Sequence, residues 1–431
     1  MSTRAVVSRS DAYEIIRRDA ITGIERLRLQ PERQLPEVRS EVERAIQEYQ
    51  RRSRLGEQVP LGDANAMLQR VLRSITDLGP LTELLAREDV EEIFVEGARV
   101  TYLDTSGRLR GLAEPTTEDE NRLIFDRLLA DTERQLNAKH PMVQARVLDG
   151  TARLTAAIPP VADHLSATVR RYTVRDVTLD ELVARDALSE PAAAFLWALV
   201  QQRSRIVISG EPGAGKTTLA AALLSAGPAS HCVRCCEEIR ELSAPITHGA
   251  YYEVRPPGLD GTGEISLRDL VKFVLAMRPD RIVVGEVRGA ESFELTRAIN
   301  AGCGFMCTVH ANSGPEALNA LVNAALMAGE NVTERVVRRV FSQALDVVVH
   351  VDRDDAPRGA GAVRRQVTEI TAVVPTLGEE QTFEPIFVRR ALGEPLEWTG
   401  AIPPGLEARV DRALPNGTRV RDLLDPSAMA V

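Results

Sequence analysis

The spacing of apolar positions divides the first part of the chain into a helical start and a mixed middle. In residues 1–60, apolar side chains recur at helical spacing among Arg and Glu, and Pro31 and Pro36 interrupt them. This pattern predicts a solvated, charge-rich helical arm. Residues 61–175 mix strand-like runs such as VEEIFVEG and RVTYLD with an amphipathic helical run, which predicts a small α+β N-terminal domain. The charged stretch that follows predicts a linker at residues 176–188.

From Ser189 onward, strand patterns and helix patterns alternate. The apolar runs RIVISG, RIVVGEV and FMCTVHA are each followed by a helical run, and Ser266 and Asp269 have the spacing of a helix capping box. Such alternation is typical of a parallel sheet with helices packed on it, so we expect an α/β domain over residues 189–375. Two later strands, LDVVVHVD and QVTEITAVV, predict a hairpin at the sheet edge. Residues 376–431 are rich in Pro, Gly and Glu and predict a loosely structured tail.

Charge and composition narrow the possible classes of function. The 431 residues include 53 basic and 62 acidic ones, a net charge of −9, which argues against a protein that mainly coats nucleic acid. The longest apolar run, 192–200, is too short for a transmembrane helix, and the first residues lack the apolar core of a signal peptide. We therefore expect a cytoplasmic protein with reduced thiols. A zinc site is one explanation for the five cysteines, but their strand-like surroundings favour buried apolar side chains: Cys232, Cys235, Cys236, Cys303 and Cys307.

The sequence GEPGAGKT at residues 210–217 matches the P-loop pattern. It follows an apolar strand and opens a helix, which is the context that the pattern requires. Its glycines let the backbone amides of residues 213–217 point at phosphate oxygens. Lys216 can bridge the β- and γ-phosphates, and the Thr217 hydroxyl can bind Mg²⁺. The sequence therefore predicts a site for ATP and Mg²⁺, with nucleotide contacts from Gly210, Glu211, Pro212, Gly213, Ala214, Gly215, Lys216, Thr217 and Thr218.

Polar side chains end three strands of the predicted parallel sheet. Glu286 ends RIVVGE, Glu237 and Glu238 end HCVRCCEE, and His310 ends FMCTVH. Because parallel sheets bind ligands at the carboxyl ends of their strands, we expect these side chains to face the nucleotide. Glu286 is the first candidate for orienting the attacking water, the adjacent Glu pair can act on metal-bound water, and Glu238, Glu286 and Thr217 are the predicted metal ligands. The alternatives are solvated strand ends, an acidic helix start and a core histidine.

Together these motifs resemble the type II/type IV secretion ATPase family. The loop at 210–217 matches its Walker A motif, and the acidic run at 237–242 resembles its Asp box. The run at 277–291 resembles its atypical Walker B motif, and TVHAN at 308–312 resembles the end of its His box. The segments RPP, MRPDR and VHANS look most like the CpaF-like branch, the tight-adherence pilus assembly ATPases. The similarity covers roughly residues 70 to 375.

The resemblance implies a homohexamer whose subunits each have an N-terminal domain and a RecA-like ATPase domain, with nucleotide between them. It implies that ATP hydrolysis powers pilus assembly or protein secretion through a polytopic inner-membrane platform protein. The chain would then act at the inner face of the cytoplasmic membrane, without direct contact with nucleic acid. Arg288, in the run that resembles Walker B, is implied to be catalytic. Arg153, Arg170 and Arg171 match arginines that such N-terminal domains direct at the nucleotide.

Four positions depart from the family pattern. Cys303 replaces the first His of the His box, Gln144 replaces an Asp, and Lys272 and Ala276 stand where arginines are expected. Because arginines in this region resemble charge stabilisers supplied across a subunit interface, their loss predicts slow hydrolysis with intact nucleotide binding. The candidates to replace them are Arg268 and Arg278. The alternatives to a pilus or secretion motor are a conjugation-type DNA-transfer ATPase and a catalytically weakened nucleotide-binding regulator.

Overall fold

A computed structural model describes residues 9–31, 33–172, 177–258, 261–329, 331–354, 363–375, 382–415 and 417–424. The chain divides into two compact units, Met1–Thr173 and Val174–Val431. Within these described ranges, no helix is both long enough and apolar enough to cross a membrane.

The first unit begins with three helices that pack on one another. They are α1 (Arg9–Leu27), α2 (Leu35–Arg54) and α3 (Ala64–Thr76). Ile16, Val42 and Val71 are fully buried, because the apolar stripe of each helix faces the other two. The prediction of a solvated arm over residues 1–60 is therefore wrong for the described part of that segment. Most charged side chains lie on the outside of the bundle, whereas Arg17, Glu41 and Arg70 are buried.

A buried ion pair joins this bundle to the rest of the first unit. The Arg70 guanidinium of α3 donates to both carboxylate oxygens of Glu120 at 2.6 and 3.0 Å. The Tyr13 hydroxyl of α1 donates to the same carboxylate at 2.6 Å. Burial and the nearby Glu120 charge raise the pKa of Tyr13. The three side chains thus form one buried polar network across elements that are distant in sequence.

An antiparallel sheet completes the first unit. The strands and their helices are β1 (Val90–Glu96), β2 (Arg99–Asp104), β3 (Leu109–Gly111), β4 (Met142–Val147), β5 (Ala152–Ala157), β6 (Ser166–Arg171), α4 (Leu81–Ala86) and α5 (Glu118–Ala130). The six strands in the described residues are ordered β3-β2-β1-β6-β5-β4. The runs VEEIFVEG, RVTYLD, RLRGLA and RLTAAIPP predict β1, β2, β3 and β5, whereas Gln and Arg at the less buried positions of β4 and β6 weaken the apolar pattern there.

The second unit is built on one large sheet. Its strands in the described residues are β7 (Ile206–Gly210), β8 (Val233–Glu237), β9 (Gly249–Glu253), β10 (Arg281–Val284), β11 (Gly304–Val309), β12 (Val347–Asp354), β13 (Arg364–Val374), β14 (Thr382–Val388) and β15 (Glu397–Trp398). These nine strands are ordered β15-β14-β13-β12-β7-β11-β10-β8-β9. The six strands from β12 to β9 in that order run parallel, and the other three extend the sheet in antiparallel fashion.

Helices cover both faces of this sheet. The second unit has an apolar cluster on each face of the sheet, and Ile206 and Ile208 of β7 belong to one cluster while Val207 belongs to the other. The strand is therefore buried on both sides, which explains why its sequence is a continuous apolar run. The helices are α6 (Leu179–Ala184), α7 (Glu190–Val200), α8 (Lys216–Ser225), α9 (Leu267–Leu275), α10 (Glu291–Asn300), α11 (Gly314–Leu326), α12 (Glu334–Ala344), α13 (Pro404–Asp411) and α14 (Val420–Leu424). The predicted α/β class is confirmed.

Three expectations about the second unit need correction. Residues 179–184 of the predicted linker form α6, whose Thr178 and Glu181 make a capping box and whose Leu182 is buried. The described parts of the predicted loose tail contain β14, β15, α13 and α14, with Phe387 and Val410 fully buried. The predicted hairpin forms from β12 and β13, but it lies inside the sheet, because β12 pairs with β7 and β13 pairs with β14.

Candidate nucleotide site

The P-loop connects the end of β7 to the start of α8. Gly213 and Gly215 have φ angles of +77° and +100°, in the left-handed region that favours glycine. The helix therefore begins directly at Lys216, with its N-terminal amides and the positive end of its dipole at the loop. The Lys216 ammonium group is buried and donates to the carbonyl oxygens of Gly210 at 2.8 Å and Glu211 at 2.9 Å.

His310 connects this lysine to a carboxylate. Its Nδ1 lies 3.3 Å from Lys216 Nζ, and its Nε2 pairs with Glu286 Oε1. The three residues come together because β11, which precedes His310, lies between β7 and β10, which precedes Glu286. A neutral imidazole that accepts from Lys216 at Nδ1 carries its hydrogen on Nε2, beside Glu286 Oε1, which has no hydrogen-bond partner among the described residues. One ring thereby links the phosphate-binding cation to the acidic strand end.

Arg288 holds the two acidic strand ends together. Its Nη2 donates to Glu286 Oε2 at 2.6 Å, and its Nη1 donates to Glu238 Oε2 at 3.3 Å. Partial burial lowers the pKa of Arg288, but the hydrogen bond to Glu286 and the nearby carboxylates raise it overall. Glu291 accepts hydrogen bonds from the backbone amides of Arg288 and Gly289, both at 2.7 Å, and so fixes this turn.

Glu237 is placed differently from its neighbour. It is 3% exposed, and its Oε1 accepts the backbone amides of Glu241 and Leu242 at 3.0 Å each. Among the described residues, Oε2 has no hydrogen-bond partner. Burial raises the pKa of Glu237 to about 7, even though the two backbone hydrogen bonds lower it. The side chain packs against Gly285, where a Cβ would lie 2.6 Å from Glu237 Cγ. Glu237 thus supports the turn after β8, whereas Glu238 is exposed.

Comparison with known proteins assigns the family. The sequence profile described as type II/IV secretion system protein matches residues 74–370, more than half of the chain. The chain belongs to this family. A provisionally named conjugal transfer protein of Mycobacterium tuberculosis is 33% identical over 333 residues, which are 74% of this chain and 92% of that protein. The conjugal transfer protein TrbB of Rhizobium radiobacter is 31% identical over 308 residues, which are 70% of this chain and 90% of TrbB.

A solved structure supports the fold of this secretion-family chain. The crystal structure of the pilus retraction motor PilT with bound ADP matches with a TM-score of 0.50 and 17% sequence identity. The match covers 73% of this chain and 83% of that chain. Family membership and the P-loop geometry together confirm the prediction of an ATPase.

The oxygen donors beside the P-loop fit Mg²⁺. Thr217, directly after Lys216, is half-buried at the start of α8, and the carboxylates of Glu238 and Glu286 are hard ligands of the kind that Mg²⁺ prefers. In the described part of the chain, no cluster of three or more His, Cys, Asp or Glu side chains is arranged to hold a metal by itself. Mg²⁺ commonly binds through one or two carboxylates together with substrate phosphates. These residues would therefore hold the ion jointly with a bound nucleotide, whose phosphate charge it would offset.

The predicted arginines of the N-terminal domain all have contacts inside the first unit. Arg170 pairs with Glu92 at 3.4 Å, and Arg171 donates to the carbonyl oxygens of Arg87 and Val90. Arg153 donates to Gln144 at 3.1 Å. Gln144 is the position where the family pattern has an Asp, so an amide here accepts the hydrogen bond.

The region of the missing arginines contains a buried carboxylate. Glu294 is fully buried, and three basic side chains surround it: Arg268 at 2.9 Å, Arg297 at 3.3 Å and Lys272 at 3.9 Å. Arg268 and Lys272 therefore neutralise a charge within their own subunit. Ala276 ends α9 and is exposed. Arg278 is also exposed and has a left-handed backbone, with φ +53°, which is uncommon for a residue other than glycine.

The cysteines lie mostly in the core of the second unit. Cys235, Cys236, Cys303 and Cys307 are buried and Cys232 is half-buried. Burial raises the pKa of Cys236 to about 12 and that of Cys303 to about 11, so both thiols stay protonated near neutral pH. Cys303, which the resemblance aligns with the first His of the His box, packs as an apolar residue before β11.

Two further arginines lie beside the P-loop and were not identified from the sequence. Arg353 and Arg365 reach Gly213 from the hairpin of β12 and β13. The local pattern predicts this hairpin at the edge of the sheet. The pairing of β12 with β7 is a long-range relationship that the local pattern of either strand does not contain.

Proposed function

We propose that this chain is the ATP-hydrolysing motor subunit of a pilus assembly or protein secretion system, of the CpaF-like tight-adherence type. The observation that carries the proposal is the continuous contact from Lys216 through His310 to Glu286 beside the P-loop. It joins the cation that binds phosphate to the carboxylate that is best placed to orient water. Arg288 adds a positive charge that keeps Glu286 and Glu238 at one end of the sheet.

Each residue has a separate task in this proposal. The P-loop amides and Lys216 bind the β- and γ-phosphates, and the lysine exchanges its contacts with Gly210 and Glu211 for phosphate oxygens. Glu286 accepts a hydrogen bond from the attacking water and orients it towards the γ-phosphate. His310 contacts both partners, so a change in the position of Lys216 would move the imidazole beside Glu286. Arg170 and Arg171 are proposed as further nucleotide contacts from the resemblance alone.

The proposed assembly is a homohexamer that acts with a polytopic platform protein at the inner face of the cytoplasmic membrane. The family and the resemblance to the CpaF-like branch support this part of the proposal. A motor subunit of this kind turns over ATP as a purified protein and loses that activity when Lys216 is replaced by Ala. In the native host, the same substitution should abolish surface pili or the secreted proteins while leaving the chain's abundance unchanged.

A second candidate function is DNA transfer of the conjugation type. The names of the Mycobacterium tuberculosis and Rhizobium radiobacter relatives favour it. The acidic net charge of −9 favours the pilus or secretion motor, since direct binding to the DNA backbone requires basic surfaces. Measuring both surface pili and plasmid transfer in a host that carries Lys216→Ala separates the two. Loss of pili with normal transfer supports the first function, and loss of transfer with normal pili supports the second.

A further inference from the structure

Arg353 and Arg365 are direct cross-strand neighbours in the hairpin of β12 and β13. The register pairs these two residues, so their side chains leave the sheet on the same face, and both are half-buried. At the next pair along the hairpin, Asp354 faces Arg364. The Arg353–Arg365 pair thus places two guanidinium groups side by side on one face of the hairpin.

Both guanidinium groups approach the same P-loop residue. Arg365 Nε donates to the carbonyl oxygen of Gly213 at 2.9 Å. A Cβ on residue 213 would lie 2.5 Å from Arg353 Nη1, so glycine at this position leaves room for the Arg353 side chain. The pair is thus positioned against the middle of the loop whose amides are proposed to bind phosphate.

A chain of polar contacts fixes the hairpin at this place. Ser209 Oγ of β7 and His350 Nδ1 are 2.9 Å apart, and His350 Nε2 lies 3.3 Å from Asp352 Oδ1. The Thr368 hydroxyl of β13 donates to Asp352 at 2.9 Å, next to a bulge in the β12–β13 register. Bulges frequently re-aim side chains beside active sites. These contacts fix the position of the two strands that carry the arginines.

The order of strands decides which end of a nucleotide the arginines meet. β7 lies between β12, which carries Arg353, and β11, which precedes His310. Glu286 follows β10, one strand further along on the His310 side. If the γ-phosphate points towards Glu286, the α-phosphate and the nucleoside lie towards the hairpin. Guanidinium groups suit this end because they donate to phosphate oxygens and stack on aromatic rings.

We propose that Arg353 and Arg365 bind the α-phosphate and the base of the nucleotide, so that the hairpin completes the binding site within one subunit. This inference rests on the proposed function, because it places the γ-phosphate beside Glu286. It assigns a nucleoside di- or triphosphate as the ligand of the arginine pair. It also gives the β12–β13 hairpin a role in holding ADP after hydrolysis.

Binding of ADP and of pyrophosphate to the full-length chain, followed by calorimetry, tests the inference. The variants are Arg353→Gln, Arg365→Gln and the double substitution. Arg364→Gln is the matched control, since Arg364 is an exposed arginine of the same strand that faces the other way. The double substitution should weaken ADP binding by at least about tenfold, because two charge-assisted contacts are lost. Pyrophosphate binding should change by no more than about threefold, and the control should change neither.

Several outcomes would overturn the inference. ADP affinity equal to that of the Arg364→Gln control would show that the arginines do not contact the nucleotide. An equal loss of affinity for pyrophosphate would show that the two arginines bind the β- and γ-phosphates and not the α-phosphate and the base. A lower melting temperature of the nucleotide-free double variant with intact ADP affinity would make the pair structural. Lys216→Ala, measured in parallel, must lose both ligands, and if it does not, the P-loop assignment itself fails.

Discussion

His310 contacts Lys216 through one ring nitrogen and Glu286 through the other. The imidazole therefore transmits a change at the phosphate-binding lysine to the carboxylate proposed to orient water. A histidine at this strand end is exposed, so its position depends on these two partners and not on burial in the core.

Replacing His310 with Gln should lower kcat and leave nucleotide affinity nearly unchanged. Gln can fill part of the space but does not reach both partners, so Glu286 loses its fixed orientation. We expect kcat to fall by at least about tenfold, with a much smaller change in KM. Steady-state phosphate release measures both, and His248→Gln, an exposed histidine after β8, is the control. A rise in KM with kcat intact would contradict this positioning role.

Glu237 should make the stability of the second unit depend on pH. Burial raises its pKa from 4.5 to about 7, so the folded chain keeps the proton at a pH where the unfolded chain has lost it. The contribution of this group to stability is complete below about pH 4.5 and is lost as the pH rises through about 7. Glu237→Gln should therefore raise the melting temperature of the nucleotide-free protein more at pH 8 than at pH 5. If the melting temperatures of the wild type and of Glu237→Gln change in parallel between pH 5 and pH 8, the raised pKa of Glu237 is contradicted. Glu238→Gln, at the exposed neighbouring position, is the control.

Arg278, rather than Arg268, should be the arginine that supports turnover between subunits. Arg268 already pairs with the buried Glu294, whereas Arg278 is exposed on a left-handed backbone. In a ring with shared sites, activity per subunit rises as the protein concentration promotes assembly. Arg278→Ala should reduce that rise without changing the melting temperature, and Arg268→Ala should lower the melting temperature. A concentration series of specific activity on both variants measures this difference. If specific activity rises equally with protein concentration for Arg278→Ala and the wild type, Arg278 does not support turnover between subunits.

The network around Glu120 should be essential for the first unit. Glu120→Ala removes the buried carboxylate that pairs with Arg70 and removes the Tyr13 hydrogen bond, whereas Glu114 still lies 2.5 Å from Arg70 Nε. Leaving a buried charge without any partner costs about 3–5 kcal/mol, so we expect a smaller cost here because Glu114 remains. Chemical denaturation of the full chain should show an earlier transition for the first unit. Glu118→Ala, on the same helix, tests whether removing a different carboxylate shifts the unfolding transition equally. Unfolding of Glu120→Ala at the wild-type denaturant concentration would contradict the network.

The local patterns of the sequence were enough to predict the elements that carry the site. The capping box of Ser266 and Asp269 forms as expected, and α9 begins directly after Ser266. Glu286 and His310 come together because the carboxyl ends of neighbouring parallel strands meet at one edge. The position of a polar residue at the end of a parallel strand was therefore enough to predict its contact with a residue that is distant in sequence.

Features that depend on packing between distant segments were not predictable in the same way. The charges of α1 and α2 suggested solvation, but the apolar stripe of each helix decided the outcome. The Pro, Gly and Glu content of residues 376–431 predicts a loose tail, but apolar residues of this segment join the core of the second unit. The position of Arg353 and Arg365 followed from the pairing of β12 with β7, which no single segment encodes. Strand order is the information that local patterns lack.

Phosphate release, measured beside ATP binding on the same full-length protein, separates the roles of Lys216 and Glu286. Glu286→Gln keeps the shape of the side chain but removes the carboxylate that orients water. We expect this variant to bind ATP within about threefold of the wild type and to release phosphate at least about a hundredfold more slowly. Lys216→Ala should lose tight ATP binding. A Glu286→Gln variant that hydrolyses ATP at the wild-type rate would contradict the proposed site and move the role to Glu238.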